Sequence, residues 1–196
     1  VNSIFGKVVW YRNIGTRKAP KLAVAEPINV EWRGEQPALK WGWMRPRGKA
    51  LLTQWRTTPV VVDWNRDGLN DLLMLNHEGY LTLFLRSKRG GQLQLHAPQR
   101  IFETNPEYVR LNSNTAGGSS RRKLCVADWD GDGRLDVLAN SPNAELWQNV
   151  ADREGMYKLI NRGTLFKRNI SSHTTSPTVV DWNGDGVPDL LVGAED

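Results

Sequence analysis

Three short acidic stretches carry the side chains best suited to holding a cation. They read Asp63-x-Asn65-x-Asp67-Gly-x-x-Asp71, Asp128-x-Asp130-x-Asp132-Gly-x-x-Asp136 and Asp181-x-Asn183-x-Asp185-Gly-x-x-Asp189. Positions one, three, five and nine offer side-chain oxygens, and position seven (Leu69, Arg134, Val187) can offer a backbone carbonyl. A hard cation with about six to eight oxygen ligands wants that set, and Ca2+ accepts its irregular geometry more readily than Mg2+. Glycine at position six permits the sharp turn, and without a cation the crowded carboxylates repel one another. The spacing therefore predicts up to three Ca2+ ions. An EF-hand is excluded, because it needs a Glu at position twelve and a helix on each side. Here position twelve is Met74, Ala139 and Val192, and Pro188 stands where the exit helix would run.

The elements that must position these loops repeat with them. Residues 59–73, 124–138 and 177–191 align without gaps, each as an apolar, mostly β-branched run, the acidic loop, and a second apolar run. That pattern predicts strand, tight loop, strand. Beyond the first loop, Gly79–Arg86 and Gln92–His96 read as further strands; beyond the second, Ala144–Asn149 and Tyr157–Ile160 take the same places. Each full unit is thus about four strands, the content of one β-propeller blade. The expected fold class is all-β, built of four-stranded antiparallel blades.

At the N-terminus, residues 6–13 read as a third strand and the stretch 21–30 as a fourth, while residues 171–196 supply only strands one and two. The expected division is therefore 1–50 as the second half of a blade plus an insert loop, 51–110 and 111–170 as full blades, and 171–196 as the first half of another. Three blade equivalents fall short of the four to eight that close a ring. The chain is expected to be a piece of a longer propeller, or to be completed by a partner chain. Gly, Pro and Ser mark the inserts at 41–49, 87–91 and 112–123 as loops.

Composition narrows the function classes. With 39% hydrophobic and 24% charged residues the 196-residue chain can build a core. Its longest apolar runs are far shorter than the roughly 20 residues of a spanning helix. The single cysteine, Cys125, excludes an internal disulfide framework and reads as a small core residue. Net charge is +5, yet ten of the 21 acids sit in the three loops, leaving 24 basic against 11 acidic side chains elsewhere. That surplus attracts polyanions; no nucleic-acid-binding motif accompanies it, whereas an anionic polysaccharide fits. Nine tryptophans serve equally as core and as sugar-stacking surface.

These nonamers between apolar strands, with Asp-Trp-Asn/Asp at their start and a later aromatic-x-Asn (Tyr11-Arg12-Asn13, Trp147-Gln148-Asn149), resemble FG-GAP/VCBS repeats. The resemblance covers most of residues 5–196. It implies a calcium-binding propeller of seven or eight blades, as in integrin α-chains and in bacterial polysaccharide lyases and glycosidases. The long inserts and Trp/Arg-rich loops look closer to the polysaccharide-active members. Structural calcium sites of low affinity suit an extracellular or periplasmic setting.

In such a fold the lead-in to each first strand and the loop joining strands two and three share the face opposite the calcium loops. That places Arg56, Arg121, Arg122, His77, His173 and Tyr80 together, with His96 on an outer edge and without a role. The set suits β-elimination on a uronate sugar: an arginine neutralises the developing enolate, a His or Tyr takes the proton, and another such group protonates the leaving oxygen. The alternative expectation is a non-catalytic adhesion or glycan-binding module, and the step from fold to activity rests on analogy.

Overall fold

The computed structural model describes residues 6–37, 45, 47–56, 58–104, 107–112, 122–152 and 157–195. Among them there is no helix. The strands are β1 (Val9–Trp10), β2 (Glu26–Pro27), β3 (Val60–Val62), β4 (Asp71–Leu75), β5 (Leu81–Phe84), β6 (Arg86–Arg89), β7 (Gln92–Leu95), β8 (Glu103–Thr104), β9 (Glu107–Tyr108), β10 (Leu124–Ala127), β11 (Asp136–Asn140), β12 (Ala144–Asn149), β13 (Leu159–Thr164), β14 (Thr174–Val180) and β15 (Asp189–Glu195). All strand pairs are antiparallel. The β10-β11-β12-β13 sheet, here blade B, has the full four strands. Blade A is β3-β4-β5, and β14-β15 and β1-β2 are two-stranded.

Alternation along the second strand of each blade explains the stacking. Successive side chains of a strand point to opposite faces, so a strand buried on both faces reads as an unbroken apolar run. On β4, Leu73 and Leu75 enter one core with Val137 and Ala139 of blade B, while Leu72 and Met74 enter a second core with Val8, Val30 and Leu51 of the N-terminal segment. On β5, Leu83 joins the first core and Phe84 the second. Trp64, just inside the first acidic loop, seals the A–B junction by meeting Phe102 edge-on at 5.0 Å and Tyr157 at 5.7 Å between ring centroids. Such ring pairs add about 0.5–1.5 kcal/mol beyond their area.

The fourth strand of blade A departs from the simple expectation. Gln92–Leu95 does form a strand, but it pairs with β6, the continuation of β5 past Leu85. It reaches the third-strand position through the hydrogen bond from the His96 N–H to the Leu85 carbonyl and the Leu83–Gln99 bridge. Farther along, the Leu81 N–H donates to the Val109 carbonyl, so the outer edge of blade A is shared between two segments. The N-terminal segment is built alike: the Val8 N–H donates to the Leu51 carbonyl, and Lys7 bridges Leu52. In both places a glycine at positive φ, Gly6 or Gly79, lets the lead-in to the next blade pass close beneath; a Cβ on Gly79 would overlap the Asn112 carbonyl. Strand β13 runs four residues beyond the expected Ile160, and Cys125 is half-buried on β10 opposite Leu138. The insert loops at 41–49 and 112–123 fall largely outside the described residues.

Two-sided burial sets the energetic scale. Leu73→Ala, at a fully buried position between blades, is expected to cost about 2–5 kcal/mol, against under about 0.5 kcal/mol for Leu93→Ala on the exposed side of β7; urea-unfolding midpoints measure both.

Candidate functional site

Each acidic loop is tied by the same internal hydrogen bonds. The first aspartate accepts the N–H of the sixth-position glycine: Gly68 to Asp63 Oδ2, Gly133 to Asp128 Oδ2 and Gly186 to Asp181 Oδ2, at 2.9–3.0 Å. The fifth aspartate accepts the N–H of the seventh residue: Leu69 to Asp67, Arg134 to Asp132 and Val187 to Asp185, each at 2.8 Å. Those bonds, with the Asn183 amide, hold the exposed Asp185 carboxyl below the ordinary aspartate range. Asn65 and Asn183 each accept the fifth residue's N–H and donate to its carboxylate.

The ninth aspartate does something the spacing alone does not reveal. Its Oδ2 accepts the N–H of the second-position tryptophan (Trp64 to Asp71, Trp129 to Asp136, Trp182 to Asp189) at 2.9–3.1 Å. In the two blades whose third strand is present, its Oδ1 accepts an N–H from the end of that strand, Arg86 to Asp71 and Asn149 to Asp136, both at 2.7 Å. One carboxylate thus clasps loop, second strand and third strand. Asp71 and Asp136 are fully buried, and burial, with a smaller push from the neighbouring loop aspartates, raises both carboxyls above the ordinary range despite those bonds. A raised value means the fold favours the proton. The contribution of these groups to stability is therefore complete below the ordinary pKa and is lost as pH rises through the folded value.

The loops differ in their neighbours. At position four, glycine in the second and third loops has φ of 74° and 77°; Arg66 adopts φ 58° in the first, a conformation costly for a side-chain-bearing residue, and its guanidinium donates to the Gly133 carbonyl of the next loop. In the second loop Arg134 pairs with Asp132, and Gln148 donates to Asp130. There too, ligand oxygens of Asp128, Asp130 and Asp136 lie within 4.8 Å of one another, and Asp128 Oδ1 is buried without a hydrogen-bond partner. A buried carboxylate oxygen with nothing to accept is costly, and a cation among these oxygens would remove the cost. The donor set, all hard oxygen, fits Ca2+.

The opposite face is built from the loops between strands two and three and the lead-ins to the following blades. His77 lies beside the lead-in to blade A, where the Gln54 side chain donates to its carbonyl, and Gln54 in turn accepts from Asn112. Around Tyr80 the structure gathers residues that sequence reasoning missed. The Arg100 guanidinium carbon lies 4.0 Å and that of Arg110 5.1 Å from the Tyr80 ring centroid. Arg100 pairs with Glu78, the Arg110 Nε donates to the Glu78 carbonyl, and His77 Nε2 is 3.9 Å from the Glu78 carboxylate. Only the three-dimensional return of the chain at residues 99–110 brings these arginines to the loop.

Arg56 sits at the same lead-in as Gln54, at φ 60° and with its guanidinium 4.5 Å from the Trp55 ring centroid. His173 belongs to the next junction but one: its N–H donates to Ser171 Oγ, and the adjoining Thr174 accepts from Asn140. The expected set is therefore not one cluster: His77 and Tyr80 flank the turn after β4, Arg56 lies on the lead-in to blade A and His173 on the lead-in to the last half-blade. Arg122 braces blades A and B, donating to the Leu111 and Asn140 carbonyls. Arg121 lies outside the described residues. His96 Nε2 hydrogen-bonds Ser87 Oγ at 2.7 Å within the β6-β7 hairpin.

Antiparallel blades stacked through two-faced second strands, each with an acidic loop between strands one and two, define a propeller-type repeat protein. The FG-GAP-like repeat pattern matches residues 63–139 and 128–192, well over half of the chain, and the chain belongs to that family. No curated protein and no solved structure matches it.

Removing the clasp gives a direct check. Asp136→Ala leaves two N–H groups unpartnered, about 1–3 kcal/mol each, while relieving a desolvated charge. The net loss expected in metal-free buffer is about 1–3 kcal/mol by urea unfolding, with the exposed Asp152→Ala within about 0.5 kcal/mol of wild type.

Proposed function

We propose that the three loops bind Ca2+ and that the chain is a calcium-stabilised propeller region of an extracellular or periplasmic protein acting on a uronate-containing polysaccharide. The observation that carries the calcium reading is the orphaned, buried Asp128 Oδ1 amid the Asp130 and Asp136 carboxylates. Bound Ca2+ would neutralise the loops. The chain's part is to present oxygens of Asp63, Asn65, Asp67 and Asp71, of Asp128, Asp130, Asp132 and Asp136, and of Asp181, Asn183, Asp185 and Asp189, with the carbonyls of Leu69, Arg134 and Val187. No helix among the described residues is long and apolar enough to cross a membrane.

On the opposite face, the cationic group around Tyr80 supports recognition of a sugar carboxylate. Arg110 is exposed and Arg100 already pairs with Glu78, so Arg110 and Arg56 are the cations available to a uronate. For β-elimination, His77 or Tyr80 removes the proton beside the carboxylate. The bond to the β-oxygen breaks as a carbon–carbon double bond forms, and the other of His77 and Tyr80 protonates the departing oxygen. A binding module without turnover is the second reading. It is favoured by the way Glu78 and the two guanidiniums fix the Tyr80 ring as a rigid platform.

Three experiments test this. Calcium titration calorimetry is expected to show binding that the joint change Asp63→Ala, Asp128→Ala, Asp181→Ala abolishes. The rise in Tm on adding calcium should shrink as pH falls into the range where Asp71 and Asp136, with raised pKa, take up protons. An unchanged isotherm contradicts the site. Incubation with uronate polysaccharides should yield an unsaturated, ultraviolet-absorbing product, lost in His77→Ala. Retention of the polymer without product assigns the binding module, and neither result removes the glycan reading.

A further inference from the structure

The second acidic loop differs from the other two at positions three and seven together. The first and third loops carry an amide at position three (Asn65, Asn183) and an aliphatic residue at position seven (Leu69, Val187); the second carries Asp130 and Arg134. In the first and third, the amide nitrogen donates to Oδ2 of the fifth-position aspartate, at 3.0 Å to Asp67 and 2.9 Å to Asp185. A carboxylate such as that of Asp130 has no N–H to give. It still accepts the Asp132 N–H at 3.2 Å, as Asn65 accepts that of Asp67, but Asp132 Oδ2 loses its local donor. The Arg134 guanidinium takes that place and donates to Asp132 Oδ2.

The arginine is anchored as well as paired. Its Nε donates to the Asn149 carbonyl at 3.0 Å, at the end of β12, and the Asn149 N–H is one of the two that the Asp136 carboxylate accepts. The same strand meets the extra charge at position three. Gln148 donates to Asp130, and Arg162 on β13 holds Gln148 by donating to its Oε1 at 2.6 Å. The second loop thus carries four carboxylates, Asp128, Asp130, Asp132 and Asp136, against three in each of the others, with a guanidinium fixed among them. Arg66, reaching in from the first loop, donates to the Gly133 carbonyl, outside this carboxylate set.

Resting on the calcium reading above, we propose that Arg134 is a tethered counter-cation of the second loop. In the metal-free chain its guanidinium stands in for the ion at Asp132, and an entering ion displaces it. The residue therefore acts with opposite sign in the two states. Ligand charge count alone would make this the tightest of the three loops. Arg134 offsets that, because cation entry breaks the Asp132 pair and sets a divalent charge beside a guanidinium. Without metal, the same pair holds the loop closed where the other loops rely on their amides. A residue that merely packs against the loop would shift stability and affinity in the same direction, or shift neither.

Arg134→Leu separates these cases, since it keeps the position-seven carbonyl and supplies the residue type of the first loop. In a chain whose other loops are disabled by Asp63→Ala and Asp181→Ala, calcium titration calorimetry reads the second loop alone. Arg134→Leu is expected to tighten binding there by about fivefold, and Arg110→Leu, on the opposite face, to leave it unchanged. In metal-free buffer, with the other loops native, Arg134→Leu should lower the urea midpoint. Adding Asp130→Asn should restore it, because the new amide can donate to Asp132 as Asn65 does to Asp67. This second measurement reads folding and needs no bound metal. Equal calcium affinity with and without Arg134 overturns the proposal and leaves the calcium reading standing, whereas absence of calcium binding in the wild-type chain overturns both. A double variant as unstable as the single one also overturns the proposal.

Discussion

A single carboxylate at the ninth position of each acidic loop organises the blade around it. Asp71 and Asp136 each accept one N–H from the loop and one from the third strand while standing at the head of the second. Three chain segments are fixed by two charge-assisted hydrogen bonds, of the kind worth about 1.5–3 kcal/mol apiece. Once the loop is pinned there, the first and fifth aspartates close the turn through the backbone N–H groups of positions six and seven. The cost is visible in the same residues, for burial lifts both carboxyls and makes the metal-free loops a source of stress at neutral pH. Calcium, on the proposed reading, answers a need that the clasp itself creates.

Blade stacking then follows from strands that have no solvent face. Because β4 carries Leu72 and Met74 toward one neighbour and Leu73 and Leu75 toward the other, a blade without a neighbour leaves one of these sets in water. Trp182, Leu191, Trp10 and Tyr11, at the two ends of the described chain, are correspondingly exposed. The residues gathered around Tyr80 lie away from this packing, at a turn where Gly79 at positive φ lets the lead-in to the next blade pass close by.

Much of this was legible in the residues because it is periodic. The three aligned nonamers located the loops, and the apolar runs around them located strands one and two. Tyr11-Arg12-Asn13 and Trp147-Gln148-Asn149 marked the end of strand three. What escaped was whatever depends on distant segments meeting. Nothing local says that β6 continues β5, or that Leu51 and Val109 close the outer edge of the preceding blade. Arg100 and Arg110 flank Tyr80 only because the chain returns there. The distribution of His77 and His173 over two junctions has the same origin: one belongs to a turn between strands two and three, the other to a lead-in. Arg66 stands where the other two loops carry glycine, and its reach to Gly133 requires the neighbouring loop to be in place.

Hydrogen exchange resolved at single amides tests the clasp most directly. The N–H groups of Trp64, Arg86, Trp129 and Asn149 should exchange far more slowly than those of the exposed loop residues beside them, and Asp71→Ala should release Trp64 and Arg86 together while leaving Trp129 and Asn149 protected. Fast exchange of Trp64 and Trp129 in the folded wild-type protein, or release of one amide of a pair without the other, would contradict the account.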